Sequence, residues 1–351
     1  MNQIVREDMG RIAEDPFFQE LSGSSILITG ATGLIGSLTV KACLKYNENH
    51  DTKITVIGLI RNTKKAEEVF AEFLGNQQLR FVERDLTEPL HIQEDIDYIL
   101  HTASVTTSKL FVDQPVETIE TSYRGTKHVL ELAKEKQCKG MVYLSSMEMY
   151  GRPDLSLEKV TETDLGYIDI LNVRSSYSEG KRISECLCAA YADEYKVPVR
   201  IARLAQTFGA GVLKSDNRVY AQFARSAVKG EDIVLHTEGK SNGNYCYTTD
   251  VIRALALLLQ KGEDGQAYNI CNEETTTTIA EMAKMVAEEF GHGKSKVIFD
   301  IPKDARTYGY APDVKMHLDA GKLRSLGWRP QYDLKEMYQR LIAGMISDNN
   351  K

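Results

Sequence analysis

The chain has 351 residues, 42% apolar and 26% charged, with 43 basic against 50 acidic side chains and a formal net charge of −7. That length buries a large core in one or two domains, and the composition is that of an ordinary globular protein. The acidic balance, with no dense Lys/Arg block, excludes a nucleic-acid surface, and the longest apolar run, 254–259, is far too short to span a bilayer.

Residues 1–22 form an amphipathic prelude with Ile4, Met9, Ile12, Phe17 and Phe18 available to pack; its charged start has no apolar h-region, so no secretory signal is read there. A short apolar run, 26–29, reads as a buried parallel strand; it ends in Thr29 and Gly30, and Gly33 and Gly36 follow before a helical stretch at 37–46. Glycines between a strand and a helix let backbone approach a pyrophosphate, with Thr32, Leu34 and Ile35 completing the turn and the helix N-terminus facing the charge.

Further strands are expected at 54–59, 79–82, 96–101, 140–145 and 199–204, and helices at 64–73, 116–136 and 176–195. This alternation predicts a doubly wound α/β sheet of parallel strands, in which ligands bind beyond the strands' carboxyl ends. The second strand runs into Arg61 and Asn62 rather than an acid that would hold a ribose 2′-hydroxyl; an Arg there could pair with a 2′-phosphate, which tilts the cofactor toward NADP over NAD. After residue 205 the rhythm loosens. Loops with one helix at 219–228 fill 209–250, helices follow at 251–259, at 278–290 behind the capping pair Thr278 and Glu281, and at 335–345, and 306–316 is irregular. The expected division is a dinucleotide-binding Rossmann domain, 1–205, with a return segment near 245–262, and a smaller C-terminal α/β substrate-binding domain, 206–351. The six cysteines, at 43, 138, 186, 188, 246 and 271, are scattered. They read as reduced packing residues of a cytoplasmic protein, with neither disulfide nor metal site.

Tyr177 and Lys181 stand at i and i+4 on one helix face. A phenol is a poor base at neutral pH, but a cation near 4 Å offers about 1–4 kcal/mol, one to three pKa units, so the pair can carry a sugar hydroxyl's proton. Tyr123 and Lys127 repeat the spacing, but before the fifth strand rather than after it, and read as a surface or interface pair. Ser145 and Ser146 end that strand, where a hydroxyl could share the proton with Tyr177. If the chain stays extended, Glu148 lies on the side of Ser146 and could remove a proton beside a carbonyl; the alternative is a carboxylate that is solvated or paired with an Arg.

With these residues in view the sequence resembles an extended short-chain dehydrogenase/reductase, specifically the nucleotide-sugar NAD-dependent epimerase/dehydratase family. TGATGLIG (29–36), Asp85 and Leu86, HTAS (101–104), Gly125 and Thr126, LSSMEMYG (144–151), YSEGK (177–181), RLAQTFGAG (203–211) and LDAGKLRSLGW (318–328) occur in family order. The resemblance implies a nicotinamide dinucleotide on Gly30, Gly33 and Gly36, with Asp85 and Leu86 flanking the adenine and Ala103 lining the nicotinamide side. Tyr177 and Lys181 would hold its ribose and transfer protons, Ser146 would be the catalytic hydroxyl, and Glu148 matches the Glu of 4,6-dehydratases and UDP-glucuronate decarboxylases. Ser104, Ser146, Gln206 and Arg218 would face a nucleotide diphosphate-sugar, and 216–219 resembles the decarboxylase-like branch. Met147 departs from the acid that protonates a dehydratase's leaving hydroxyl, Ser122 and Gln206 replace family Asn residues, and Gly243 replaces an Arg, leaving a diphosphate contact to Arg218 or Arg306. Epimerisation, dehydration and decarboxylation through a transient 4-keto sugar therefore all stay open. Beside them stand an NADPH-dependent 4-ketoreductase and a non-catalytic dinucleotide sensor. The resemblance also implies a homodimer through the helices at 116–136 and 176–195.

Overall fold

The computed structural model describes residues 1–302 and 314–349, so Arg306 and most of the irregular stretch at 306–316 lie outside the described residues. Two helices open the chain, α1 (Gln3–Ala13) and α2 (Pro16–Gln19), each capped by an acceptor side chain: Asn2 accepts from Val5 N–H and Asp15 from Phe17 N–H. Then come β1 (Ser25–Thr29), α3 (Leu34–Asn49), β2 (Thr55–Ile60), α4 (Thr63–Val69), β3 (Leu79–Glu83), β4 (Tyr98–His101), α5 (Ser108–Asp113), α6 (Pro115–Glu135), β5 (Gly140–Ser146), α7 (Ser176–Tyr195) and β6 (Val199–Leu204). The rest of the chain adds β7 (Gln206–Phe208), α8 (Val219–Lys229), β8 (Ile233–Leu235), β9 (Asn242–Tyr247), α9 (Thr248–Lys261), β10 (Ala267–Ile270), β11 (Asn272–Thr278), α10 (Ile279–Phe290), β12 (Val297–Phe299), β13 (Lys315–Met316), α11 (Gly321–Ser325) and α12 (Leu334–Asn349).

Seven parallel strands form one sheet in the order β10-β6-β5-β4-β1-β2-β3. Side chains alternate across it. Ile26 and Ile28 of β1 enter one core with residues of α1, α3 and α9, while Leu27 enters the opposite core with residues of α6 and α7. The strand order reverses between β1 and β4, which opens a crevice at their carboxyl ends, the usual ligand position in such sheets. α6 and α7 approach closely because Gly180 faces Ser122; a Cβ at 180 would sit 2.9 Å from the Ser122 hydroxyl.

A second lobe follows, with β7, β11 and β13 all pairing β9, and with Tyr220, Met282, Val286, Tyr338 and Leu341 in its core. β8 and β9 occupy a stretch expected to be loop and one helix: β8 has three residues, too few to show a period, and β9 (NGNYCY) opens on Asn, Gly and Asn, residues poor in strands. The strand that rejoins the large sheet is β10, reached through α9. α1 bridges the lobes: Asp8 accepts from Tyr247 Oη at 2.7 Å and from Arg340 Nη2 at 2.6 Å, and Arg11 donates to Tyr332 Oη at 2.7 Å. Among the described residues no helix is long and apolar enough to cross a membrane.

Candidate active site

Gly30 turns the chain out of β1 at φ +62°, a conformation side chains rarely adopt, and a Cβ there would lie 2.7 Å from the Cα of Ala103. A Cβ on Gly36 would lie 2.4 Å from the Gly30 carbonyl oxygen. Gly33 is different: it is exposed, sits at φ −78°, and the one atom near its missing Cβ is the Gly30 oxygen at 3.2 Å. No side chain caps α3, so the N–H groups of Leu34, Ile35 and Gly36 are left to point outward, with Thr32 half-buried beside them. α3 begins three residues before the sequence pattern does, which brings Leu34 and Ile35 into its first turn. A side-chain-free cradle over unpaired helix donors fits a dinucleotide's pyrophosphate.

Beneath the turn the Thr29 hydroxyl accepts from Ala103 N–H at 3.1 Å and lies 2.7 Å from His101 Nδ1, whose Nε2 is 3.3 Å from the Thr126 hydroxyl. Burial, then the Lys181 charge, pushes His101 down to about 3, so it is a neutral strut between β1, β4 and α6. Arg61 and Asp85 lie exposed beyond β2 and β3. The Thr87 N–H and hydroxyl, each 2.8 Å from the Asp85 carboxylate, hold its pKa below the usual range, with Arg61 adding to the effect. The Arg61 charge thus already acts on the Asp85 carboxylate, which weakens the local reason for the tilt to NADP. Leu86 is buried against Gly125, and its carbonyl lies 2.8 Å from His128 Nδ1.

Tyr177 stands in the first turn of α7, buried, its ring stacked on Phe111 at 4.3 Å and 8°. The hydroxyls of Ser146, the last residue of β5, and Ser104, just past β4, lie near its own and favour the phenolate, as does the Arg218 charge. The phenol is nevertheless pushed up to about 12, first by burial and then by the Glu148 carboxylate. This corrects the expectation that Lys181 acidifies the phenol. The Lys181 ammonium lies 5.7 Å from the Tyr177 ring centroid, donates to the Leu144 carbonyl at 2.7 Å, and is itself pushed down to about 8 by burial.

Glu148 is not on an extended segment either. Residues Met147–Tyr150 form a 3-10 turn, and the Ser146 hydroxyl accepts from Glu148 N–H at 3.2 Å, so the two stay adjacent by capping rather than by strand alternation. The Glu148 carboxylate pairs with Arg174 at 3.2 Å, the alternative reading of that residue. Ser145 faces away from the site: its hydroxyl donates to buried Glu185, which Arg203 holds at 2.8 Å. Met147 packs against the core, so no acid stands at that place in the turn. Arg218 is gripped by Asp216, with contacts of 2.5 to 3.1 Å, and Gln206 opens β7 half-buried opposite Tyr245. Tyr123 and Lys127 are exposed on α6, and five of the six cysteines are buried, Cys186 being exposed.

Sequence reasoning missed Phe111 and Arg174, and it named Asp216 only within 216–219, without its grip on Arg218. Arg174, three residues before Tyr177, carried a usable signal: a cation one turn ahead of a phenol that has a carboxylate neighbour. Phe111 offered none, since α5 carries no motif.

A glycine cradle at the switch point of a parallel sheet, with a Ser-Tyr-Lys group across the crevice, defines a dinucleotide-dependent enzyme of the short-chain dehydrogenase/reductase type. The family profile described as "NAD dependent epimerase/dehydratase family" matches residues 26–271, and the chain belongs to that family. It is 30% identical over 321 residues to UDP-glucuronic acid decarboxylase 6 of Arabidopsis thaliana, covering 91% of this chain and 88% of the relative. To UDP-glucuronic acid decarboxylase 1 of Xenopus tropicalis it is 28% identical over 327 residues, 93% of this chain and 73% of the relative. The fold matches UDP-glucose 4-epimerase of Thermotoga maritima at a TM-score of 0.77 and 24% identity, over 93% of this chain and 99% of the other. It also matches dTDP-glucose 4,6-dehydratase of Bacillus anthracis, solved in complex with NAD, at 0.75 and 20%, over 93% and 98%. The family's cofactor is NAD.

Proposed function

We propose that this enzyme decarboxylates a nucleotide diphosphate-glucuronate, with UDP-glucuronate the first substrate to try, by way of a transient 4-keto sugar. The observation that carries this reading is the grouping of Ser104, Ser146, Glu148 and Arg218 around the Tyr177 hydroxyl, in a turn whose dehydratase-acid position is an apolar, core-packed Met147. Two relatives that match across nine-tenths of the chain are UDP-glucuronic acid decarboxylases.

Gly30, Gly33, Gly36, Leu34 and Ile35 would hold the dinucleotide's pyrophosphate, and Asp85 and Leu86 its adenosine end. When bound, an oxidised nicotinamide supplies a reversible hydride acceptor for the sugar's C4 and a positive charge near the phenol. Tyr177 takes the C4 hydroxyl proton, with Ser146 bridging the two oxygens. Burial raises the phenol's pKa, and that added charge would lower it again. Lys181, fixed to the Leu144 carbonyl, stands as the ribose partner.

A ketone at C4 makes a C6 carboxylate the acid group of a β-keto acid. Loss of carbon dioxide then moves the C5–C6 bond pair into a C4–C5 enolate whose charge rests on the C4 oxygen, where Tyr177 and Ser146 stabilise it by hydrogen bonding. C5 takes a proton from water, and C4 regains its hydride with the proton held by Tyr177, restoring the alcohol. No leaving hydroxyl has to be protonated, so Met147 is no obstacle. Elimination of water would go without the acid that the dTDP-glucose type of dehydratase has at the place of Met147, although relatives with a Ser there dispense with it. Arg218, held by Asp216, would face the diphosphate.

A homodimer through α6 and α7 belongs to the same reading. Val116, Ile119, Tyr123 and Ile183 are 39 to 64% exposed there, and light scattering of the purified protein checks it. The function is tested by incubating NAD-loaded protein with UDP-, GDP-, dTDP- and CDP-linked sugars and uronates and weighing the products. Loss of carbon dioxide from a uronate supports the reading. Loss of water, an unchanged mass with inverted C4, or consumption of NADPH replaces it with dehydration, epimerisation or ketoreduction.

A further inference from the structure

Arg174 lies on the 3-10 turn Val173–Ser175 that leads into α7. That turn is fixed from both sides: Asn172 Oδ1 accepts from Arg174 N–H at 3.0 Å, and the Ser175 hydroxyl donates to the Asp169 carbonyl at 2.7 Å. The guanidinium therefore has a defined place. It lies 3.2 Å from Glu148 and 6.0 Å from the centroid of Phe111, the ring against which Tyr177 stacks. Arg174 thus touches both groups that flank the phenol without being one of its direct partners.

We propose that Arg174 is a positioning residue that holds the Glu148 carboxylate and neutralises its charge beside Tyr177, and so sets the pH at which the phenol can accept and give up its proton. This rests on the reading of Tyr177 as the proton carrier. Among the described residues that face Tyr177, Glu148 is the anion that most disfavours its phenolate, and the Asp216 carboxylate stands behind Arg218, already paired with it. The others are Phe111 from α5, Ser104 past β4, Ser146 ending β5, Arg218 ahead of α8 and Lys181 one turn along α7. A carboxylate beside a phenol disfavours the phenolate, and a cation bonded to that carboxylate cancels most of the repulsion. Both partners are partly exposed, so the pair adds little to stability, and its consequence is for the charge balance around the phenol. One unit charge several Å away in partly wet surroundings is worth about one pKa unit.

The experiment follows the first half-reaction, reduction of bound NAD on mixing with UDP-glucuronate, which needs Tyr177 and precedes any step at C5. It is run against pH for wild type, R174Q, R174K, E148Q and R174Q/E148Q, with NAD affinity as the check that each variant folds. R174Q is expected to move the ascending limb up by about one pH unit, a rate loss of about tenfold below it. R174K is expected to restore the wild-type limb, and E148Q to make the Arg174 substitution silent in pH. A wild-type profile in R174Q, or the same shift from R174Q when Glu148 is already Gln, overturns the inference while leaving the function intact. Wild-type protein that reduces no NAD with any nucleotide sugar overturns both.

Discussion

Gly33 and Gly30 separate a ligand-binding turn from a merely tight one. Gly30→Ala puts a side chain at φ +62° and a Cβ 2.7 and 2.9 Å from the Cα and N of Ala103. The left-handed conformation costs about 1–2 kcal/mol and the overlap with backbone a further 1–3, so folding stability should fall by about 2–5 kcal/mol. Gly33→Ala meets only the Gly30 oxygen at 3.2 Å, at a backbone conformation alanine adopts freely, and should cost the fold less than about 1 kcal/mol. Its methyl group would, however, project into the space where a pyrophosphate approaches Leu34 and Ile35. NAD affinity should fall tenfold or more, about 1.4 kcal/mol for each factor of ten. Urea unfolding and calorimetric titration with NAD on the same samples give both quantities. Gly33→Ala protein that binds NAD as tightly as wild type, or that is as unstable as Gly30→Ala, refutes the reasoning.

The other expectations concern burial and charge. The Lys181 pKa is pushed down to about 8, against 10.5 for the ordinary side chain. Between those values the unfolded chain holds a proton that the folded one lacks, so stability gains with rising pH in that window. Lys181→Met should remove that gain, so urea unfolding of the two proteins should diverge from pH 8 upward; parallel curves would count against a buried charged lysine. Arg340→Met strips the buried Asp8 of its bonded cation, leaving the Tyr247 hydrogen bond and the more distant Arg11 charge, and should cost about 3 kcal/mol in the same assay. Adding Asp8→Asn should recover part of that loss, because the uncompensated charge goes with it.

The doubly wound sheet was legible because buried parallel strands are continuous apolar runs, and 26–29, 54–59 and 140–145 each lie within a residue or two of β1, β2 and β5. The second lobe was not. Its strands β7, β8, β12 and β13 are two or three residues long, and a period cannot be read from so few positions. Ser146, Tyr177 and Glu148 were legible as neighbours, since each follows or faces a strand's carboxyl end. Their electrostatics were not, because a phenol's acidity depends on which charges the fold turns toward it. Lys181 turned to the Leu144 carbonyl, and Glu148 turned to Arg174 through a 3-10 turn that nothing in the local pattern distinguishes from an extended segment. Ser145 and Ser146 looked alike in sequence. Strand alternation sends one to Glu185 in the interior and the other to Tyr177.

The central claim is that the Tyr177 hydroxyl moves the proton when a nucleotide sugar is oxidised at C4. Tyr177→Phe removes one oxygen and keeps the ring that stacks on Phe111, so the variant should fold and bind NAD as wild type does. Stopped-flow measurement of bound-NAD reduction on mixing with UDP-glucuronate should then register at least a hundredfold slower rate than wild type, the ordinary contribution of a positioned general base. A Tyr177→Phe protein that reduces its NAD at the wild-type rate would contradict the account.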